Sequence, residues 1–289
     1  MSAGMSARIA VAGLPESVET WSGKDRGDEN FPVGSALIRR ELRPHVHAYY
    51  AFARNADDIA DHPELAPADK IARLDRMEAV LLGRAATGAP SAARLRTSLA
   101  ETGVDPVHAT DLLIAFRQDA TRRRYADWAD LMEYCRYSAA PVGRYVLSLH
   151  GESTATWPAS DALCSSLQVL NHLQDCARDL ATLDRCYLPL DLFGREGASI
   201  DDIRRPALTP ALRRVLDRML AATTELNRGA AALPRLTNSR RLSAETAIIH
   251  RLACRLAARL RREDPLAGRV KLRAPDIGRA LLSGLRHLA

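Results

Sequence analysis

The chain has 289 residues, 47% of them hydrophobic and 26% charged, which excludes a disordered chain and leaves room for one large domain or two small ones. The formal net charge of +6 favours an anionic partner, yet the arginines are spread along the candidate helices rather than gathered in a block, which argues against nucleic acid. Aromatic content is 5%, Ala, Leu and Arg abound, and no stretch alternates cleanly between apolar and polar residues, so the predicted fold is all-α.

Residues 1–25 are rich in Ser, Gly and Ala without a period and read as a tail, leaving 26–289 as one helical domain. A first helix is predicted from "NFPVGSALI", interrupted around Pro44, and continuing through "HAYYAFARNADDIAD". "PADKIARLDRMEAVLLG" is a second helix closed by Gly83. Helices follow at "SAARLRTSLAET" and "DPVHATDLLIAFRQDATRRRY", where "TRRR" (121–124) reads as solvated helix surface. "DWADLMEYCRYSAAPVGRYVLSLHG" reads as one helix, as does "PASDALCSSLQVLNHLQDCARDLATL". "DRCYLPLDLFGREG" is an ordered loop, and three further helices lie at "TPALRRVLDRMLAATTELNRGAAAL", "SAETAIIHRLACRLAARLRRED" and "APDIGRALLSGLRHLA". The total is about eight to ten helices with short connections. Met77, Met132 and Met219 fall at apolar helical positions and are core, and His45 and His47 beside Pro44 are turn or surface residues. Five cysteines form no CxxC pair, which fits reduced thiols in a cytoplasm, and no run approaches the roughly 20 apolar residues needed to span a bilayer. Membrane contact is expected to be peripheral at most.

Two helix faces carry the chemistry. At 100° per residue, Asp57 and Asp61 sit about 40° apart, with Tyr50 and Arg54 in the same arc. Phe52, Ala56 and Ile59 cover the far side, so no face of this helix is plainly polar. Two readings are open: Arg54 pairs with Asp57 and Asp58 on a surface helix, or the aspartates hold metal ions. The second face gathers Gln168, Asn171, Asp175 and Asp179 within about 80°, opposite a leucine stripe, with His172 and Arg178 at its border and compatible with solvent. If the fold brings both faces together, they form a hard, oxygen-only site suited to Mg²⁺, which keeps waters and completes its shell with phosphate oxygens.

Read together, "YYAFARNADDIAD", "YCRYSAAPVG", "QVLNHLQDCARD" and "RCYLPLDLF", in this order and spacing, resemble the squalene/phytoene synthase family from about Asn30 to Leu272. "DENFPVGS" and "LRPHVHAYYAFARNADDIADHPELAPADK" resemble its bacterial hopanoid-pathway branch, which forms hydroxysqualene. The resemblance implies an isoprenoid-synthase-type helical bundle around a central apolar cavity. It implies Mg²⁺ binding by Asp57, Asp61, Asp175 and Asp179, with Asp58 a further ligand, and a catalytic place for these aspartates and Tyr134. Arg54, Gln168 and Asn171 match positions that meet metal or diphosphate, and the "RVKL" segment brings Arg269 and Lys271 towards the diphosphate. Tyr50, Phe31, Phe52 and Tyr134 are the aromatic rings available to face a carbocation or the bound substrate.

The implied reaction is ionisation of presqualene diphosphate, rearrangement, and capture by water. The alternative is condensation of two prenyl diphosphates to presqualene diphosphate, dehydrosqualene, squalene or phytoene. Two departures from the common family pattern, Gln174 where many members carry arginine and Ser138-Ala139-Ala140-Pro141-Val142-Gly143 in mid-chain, count against the first condensation. No glycine-rich nicotinamide fingerprint is present, which favours water capture over hydride reduction. A di-iron carboxylate bundle would need Glu-x-x-His pairs, which the sequence lacks, and a basic binding helix bundle without chemistry would tolerate loss of Asp57 or Asp175.

Overall fold

In a computed structural model, residues 17–19 and 37–288 are described, and among them lie twelve α-helices and two short 3₁₀ turns. Phe31 and most of the expected tail fall outside these residues. Pro44 begins a helix instead of interrupting one: α1 runs Arg43–Asp61 with the proline in its first turn, where the missing N–H has no intrahelical partner to lose. Residues 37–42, expected to be helical, form turns.

α2 (Pro67–Leu81), α3 (Pro90–Thr102) and α4 (Val107–Thr121) follow, and α2 and α3 also start on a proline. The expected single helix over 127–151 is two, α5 (Trp128–Ser138) and α6 (Ala140–Leu149), because Pro141 cannot donate into the preceding turn and Ala139 leaves helical geometry. α6 presses on α7 (Trp157–Leu183) at Gly143, where a Cβ would stand 2.3 Å from Ser160 Oγ. α7 ends at Asp184, and the extended residues after it form an isolated bridge between Arg124 and Cys186 before α8 (Leu190–Glu196), a helix not expected in that loop. α9 (Pro210–Ala230), the short α10 (Leu233–Leu236), α11 (Arg240–Leu260) and α12 (Ala274–Leu288) complete the chain.

The arginines of "TRRR" do more than dress a surface. Arg122 pairs with Asp130 and lies over the Tyr125 ring, Arg123 donates to the Leu183 carbonyl at 3.0 Å, and Arg124 pairs with Asp184 at 2.7 Å. They tie the end of α4 to the end of α7.

Two apolar cores divide the bundle. One gathers α1 to α4 around Phe52, Ile59, Met77 and Leu112 and takes Tyr145 and Leu149 from α6. The other gathers α5 and α7 to α11 around Leu131, Leu170, Leu173 and Met219. Met132 is half-buried against this second core. All five cysteines are free, and no helix among the described residues is long and apolar enough to cross a membrane.

Candidate active site

Between the two cores lies a cavity of about 520 Å³, within the range of small-molecule sites. Asp57 and Asp61 enter it from α1, Asp119 from α4, Tyr134 from α5, and Gln168, Asn171, Asp175 and Asp179 from α7. The two acidic faces therefore meet. Apolar surface comes from Phe116 and Leu183 and from the rings of Tyr134 and Tyr187.

On α1 both readings of the aspartates hold at once. Arg54 pairs with Asp57 at 3.1 Å and with Asp58 at 2.9 Å, while Asp57 also lines the cavity. Asp58 does not line it; its buried carboxylate is taken up by Arg54, which corrects the expectation of a metal ligand there. Asp61 accepts from Arg185 Nη1 at 2.6 Å, and Arg185 Nη2 also donates to the carbonyls of Ala60 and Asp119. Asp119 is buried and accepts from the hydroxyls of Tyr134 at 2.9 Å and Tyr187 at 3.4 Å.

On α7, Asp175 lies 2.9 Å from Arg178 and 3.4 Å from Arg269, and Asp179 lies 3.5 Å from Arg178. Arg269 reaches the site because Gln174, buried one residue before Asp175, donates to the Val270 carbonyl at 2.6 Å and holds the segment after α11 against α7. His172, expected to sit comfortably in solvent, is buried with its ring stacked on Tyr187 at 3.6 Å between centroids.

Three further expectations are corrected. Lys271 is exposed and does not line the cavity, although Arg269 two residues before it does. Tyr50 is half-buried on α1 but does not line the cavity. Phe52 is fully buried in the first core, unavailable to a substrate. Sequence reasoning missed Asp119, Arg185, Tyr187 and His172. A signal existed for Asp119, which continues the buried stripe of Leu112 and Ala115 on α4, where a lone carboxylate is costly unless it is used.

Crowding sets the electrostatics. Loss of water first, and the neighbouring Asp61 charge second, push the Asp57 carboxyl well above its ordinary range. Burial pushes Asp119 up to about 6 against the pull of Arg185, and it does the same to Asp179 against Arg178. Burial, followed by the Arg185 charge, drops His172 to about 3, so its ring is neutral. Burial alone would lower the Arg185 guanidinium, but Asp119 and Asp61 outweigh it and keep it charged.

Five aspartates and four arginines line the cavity, so its own charges nearly cancel. An incoming polyanion meets arginines already engaged by carboxylates, and it enters favourably only with cations of its own. Among the described residues no three His, Cys, Asp or Glu side chains converge as a ready-made metal cage. The donors that are present suit Mg²⁺, which takes one or two carboxylates and leaves the remaining positions to water and phosphate.

An all-α bundle with facing aspartate helices around an arginine-lined cavity defines a helical enzyme whose site offers carboxylates to cations and guanidinium groups to anions. The squalene/phytoene synthase family model matches residues 24–276, and the chain belongs to that family. It is 48% identical over 260 residues to a hydroxysqualene synthase of Rhodopseudomonas palustris, covering 90% of this chain and 89% of that protein. It is 45% identical over 262 residues to a hydroxysqualene synthase of Sinorhizobium fredii, covering 91% and 88%. Among solved structures, the squalene synthase HpnC of Alicyclobacillus acidocaldarius superposes with a TM-score of 0.71 at 34% identity, over 80% of this chain and 87% of that one. A dehydrosqualene synthase in complex with ligand superposes at 0.75 with 19% identity, over 90% and 92%, a likeness of fold.

Proposed function

We propose that the protein ionises presqualene diphosphate with the help of Mg²⁺ and delivers hydroxysqualene and diphosphate, with residues 26–289 acting as one catalytic domain. The observation that carries this reading is the 48% identity to a hydroxysqualene synthase along 90% of the chain, and the meeting of the two aspartate faces in one cavity supports it.

Breaking the carbon–oxygen bond builds charge on the leaving diphosphate, and its electrostatic stabilisation is the largest lever available. Asp57, Asp61, Asp175 and Asp179 are the residues that would hold the magnesium ions. When bound, the ions neutralise the departing diphosphate. Arg178 and Arg269 turn from their carboxylate partners towards phosphate oxygens, which they bind with charge-assisted hydrogen bonds, while Arg54 stays on Asp57 and Asp58 and lends its charge to the diphosphate from the cavity wall. The side-chain amides of Gln168 and Asn171 line the same wall and orient the group.

The carbocation left behind faces the rings of Tyr134 and Tyr187, each worth about 0.5–2 kcal/mol of cation–π attraction. Asp119 fixes both hydroxyls, so the rings are held in place before substrate arrives. Water captures the rearranged cation, and its proton leaves to solvent or to the released diphosphate.

Incubation of purified protein and Mg²⁺ with presqualene diphosphate or with farnesyl diphosphate separates the two family reactions. Hydroxysqualene from the first substrate alone supports the reading. Consumption of farnesyl diphosphate alone overturns it.

A further inference from the structure

Of the ten large hydrophobic side chains left exposed among the described residues, five sit on α12: Ile277, Leu281, Leu282, Leu285 and Leu288. The other five are divided among α4, α6, α8 and α10. Leu281, Leu282 and Leu285 are 52%, 63% and 58% exposed, whereas among the other described leucines outside α12 only Leu190 and Leu236 are exposed. A contiguous apolar patch of this kind marks an interaction surface.

The exposure does not come from a loosely placed helix. The inner face of α12 is fastened to α11: Asp276 accepts from Arg255 Nε at 2.8 Å and Arg259 Nε at 2.6 Å, and His287 Nδ1 meets Ser243 Oγ at 3.0 Å. At Gly284 the two helices lie so close that a Cβ would stand 2.6 Å from Ile248. Small and polar residues therefore face inward, and at 100° per residue the five apolar side chains fill an arc of about 140° facing away.

Charge identifies the occupant. Arg279 and Arg286 are exposed side by side at one border of the apolar arc, and just before the helix Lys271 is exposed, as is Arg273, which pairs with Glu263 at 3.4 Å. The one acid between 268 and 288, Asp276, is buried beneath its two arginines. An apolar stripe edged by arginine, with no exposed acid, is the pattern of a helix lying in the surface of an anionic bilayer. A second copy of the chain would bring one basic rim against another. The 15 residues of α12 rise about 22 Å, too little to span a hydrocarbon core of about 30 Å, so the helix lies on the membrane.

We propose that α12 docks this protein on an anionic lipid bilayer, with its leucines among the acyl chains and Arg279 and Arg286 at the lipid phosphates. The inference goes beyond the reaction proposed above and draws on it only for the reason to dock, an isoprenoid substrate that partitions into membranes. Its test reads binding, so failure of the one leaves the other standing.

The full-length protein is floated with vesicles of phosphatidylcholine alone or with about 30% phosphatidylglycerol. The expected result is binding to the anionic vesicles at least about tenfold tighter, weakened by salt. Combined Leu281→Gln, Leu282→Gln and Leu285→Gln should reduce it by at least about tenfold, with the circular dichroism and Tm of the wild type. Arg279→Gln with Arg286→Gln should remove most of the preference for anionic lipid. In Leu282→Trp, which keeps the face apolar, brominated lipid should quench the added indole. The proposal is overturned if wild type floats equally with both vesicles or with neither, or if the triple variant floats like wild type. It is also overturned if the triple variant converts a dimer to a monomer without changing flotation, which would assign the face to a second copy. An indole at position 282 already shielded without vesicles would assign it to the chain's own residues before 37, and would overturn it too.

Discussion

On α1 the carboxylates of Asp57 and Asp61 face arginines that the fold has enclosed, and the Arg185 side chain is only 4% exposed. On α7 the carboxylates of Asp175 and Asp179 face Arg178, 55% exposed, and Arg269, on a segment outside any helix. The first wall is set during folding, because a buried guanidinium is tolerable only while its partners stay in place. The second wall is held by more exposed ion pairs, which cost less to exchange for an arriving anion. A cavity with one fixed and one adjustable wall can bind a diphosphate without first breaking its own core.

The sharpest break of that contrast is Arg185→Met. It strands Asp61 and Asp119, and urea unfolding should show a loss of about 3–5 kcal/mol. Next come Asp57→Asn and Asp175→Asn, one on each wall, each expected to lower kcat by about 10²–10³ with Tm changed little. If only one does so, the walls do not share a task. Tyr134→Phe removes one of the two hydroxyls on Asp119, and a stability loss of about 1.5–3 kcal/mol is expected by the same unfolding measurement.

A pH experiment probes the crowding itself. Asp119 and Asp179 are raised from 3.8 to about 6, so their protons are bound more tightly in the folded than in the unfolded protein. The stability this supplies is complete below about pH 4 and is lost as pH rises through about 6. A cation held by Asp179 needs its ionised form and offsets that residue's share of the loss. The rise in Tm on adding Mg²⁺ should therefore be small near pH 5 and larger near pH 8, and an equal rise at both would contradict the assignment of Asp179 to the cation. The smallest effect is expected of Arg178→Ala, below about 1 kcal/mol of stability, with weaker diphosphate binding as its main consequence.

Much of this was legible in the chain, and the gaps have physical causes. Helical periodicity placed Asp57 with Asp61 and Asp175 with Asp179, since a spacing of four needs nothing but the helix. The split at Ala139 was missed because apolar periodicity ran through Pro141 and outweighed its missing donor. Arg185, Tyr187 and Asp119 were missed for a different reason. Their roles arise from contacts between α1, α4 and the segment after α7, and no local pattern encodes which buried charge will meet which. Lys271 is carried over with Arg269 on the resemblance of the "RVKL" segment, and a resemblance of the segment does not fix which of its two cations reaches the cavity.

The central claim is that the two aspartate walls act on one ligand. Calorimetric titration of pyrophosphate in the presence of Mg²⁺, on wild type, Asp57→Asn, Asp175→Asn and the double variant, tests it most directly. A shared clasp predicts that each single substitution weakens binding nearly as much as both together. Penalties that simply add, or a single variant that binds as wild type does, would contradict it.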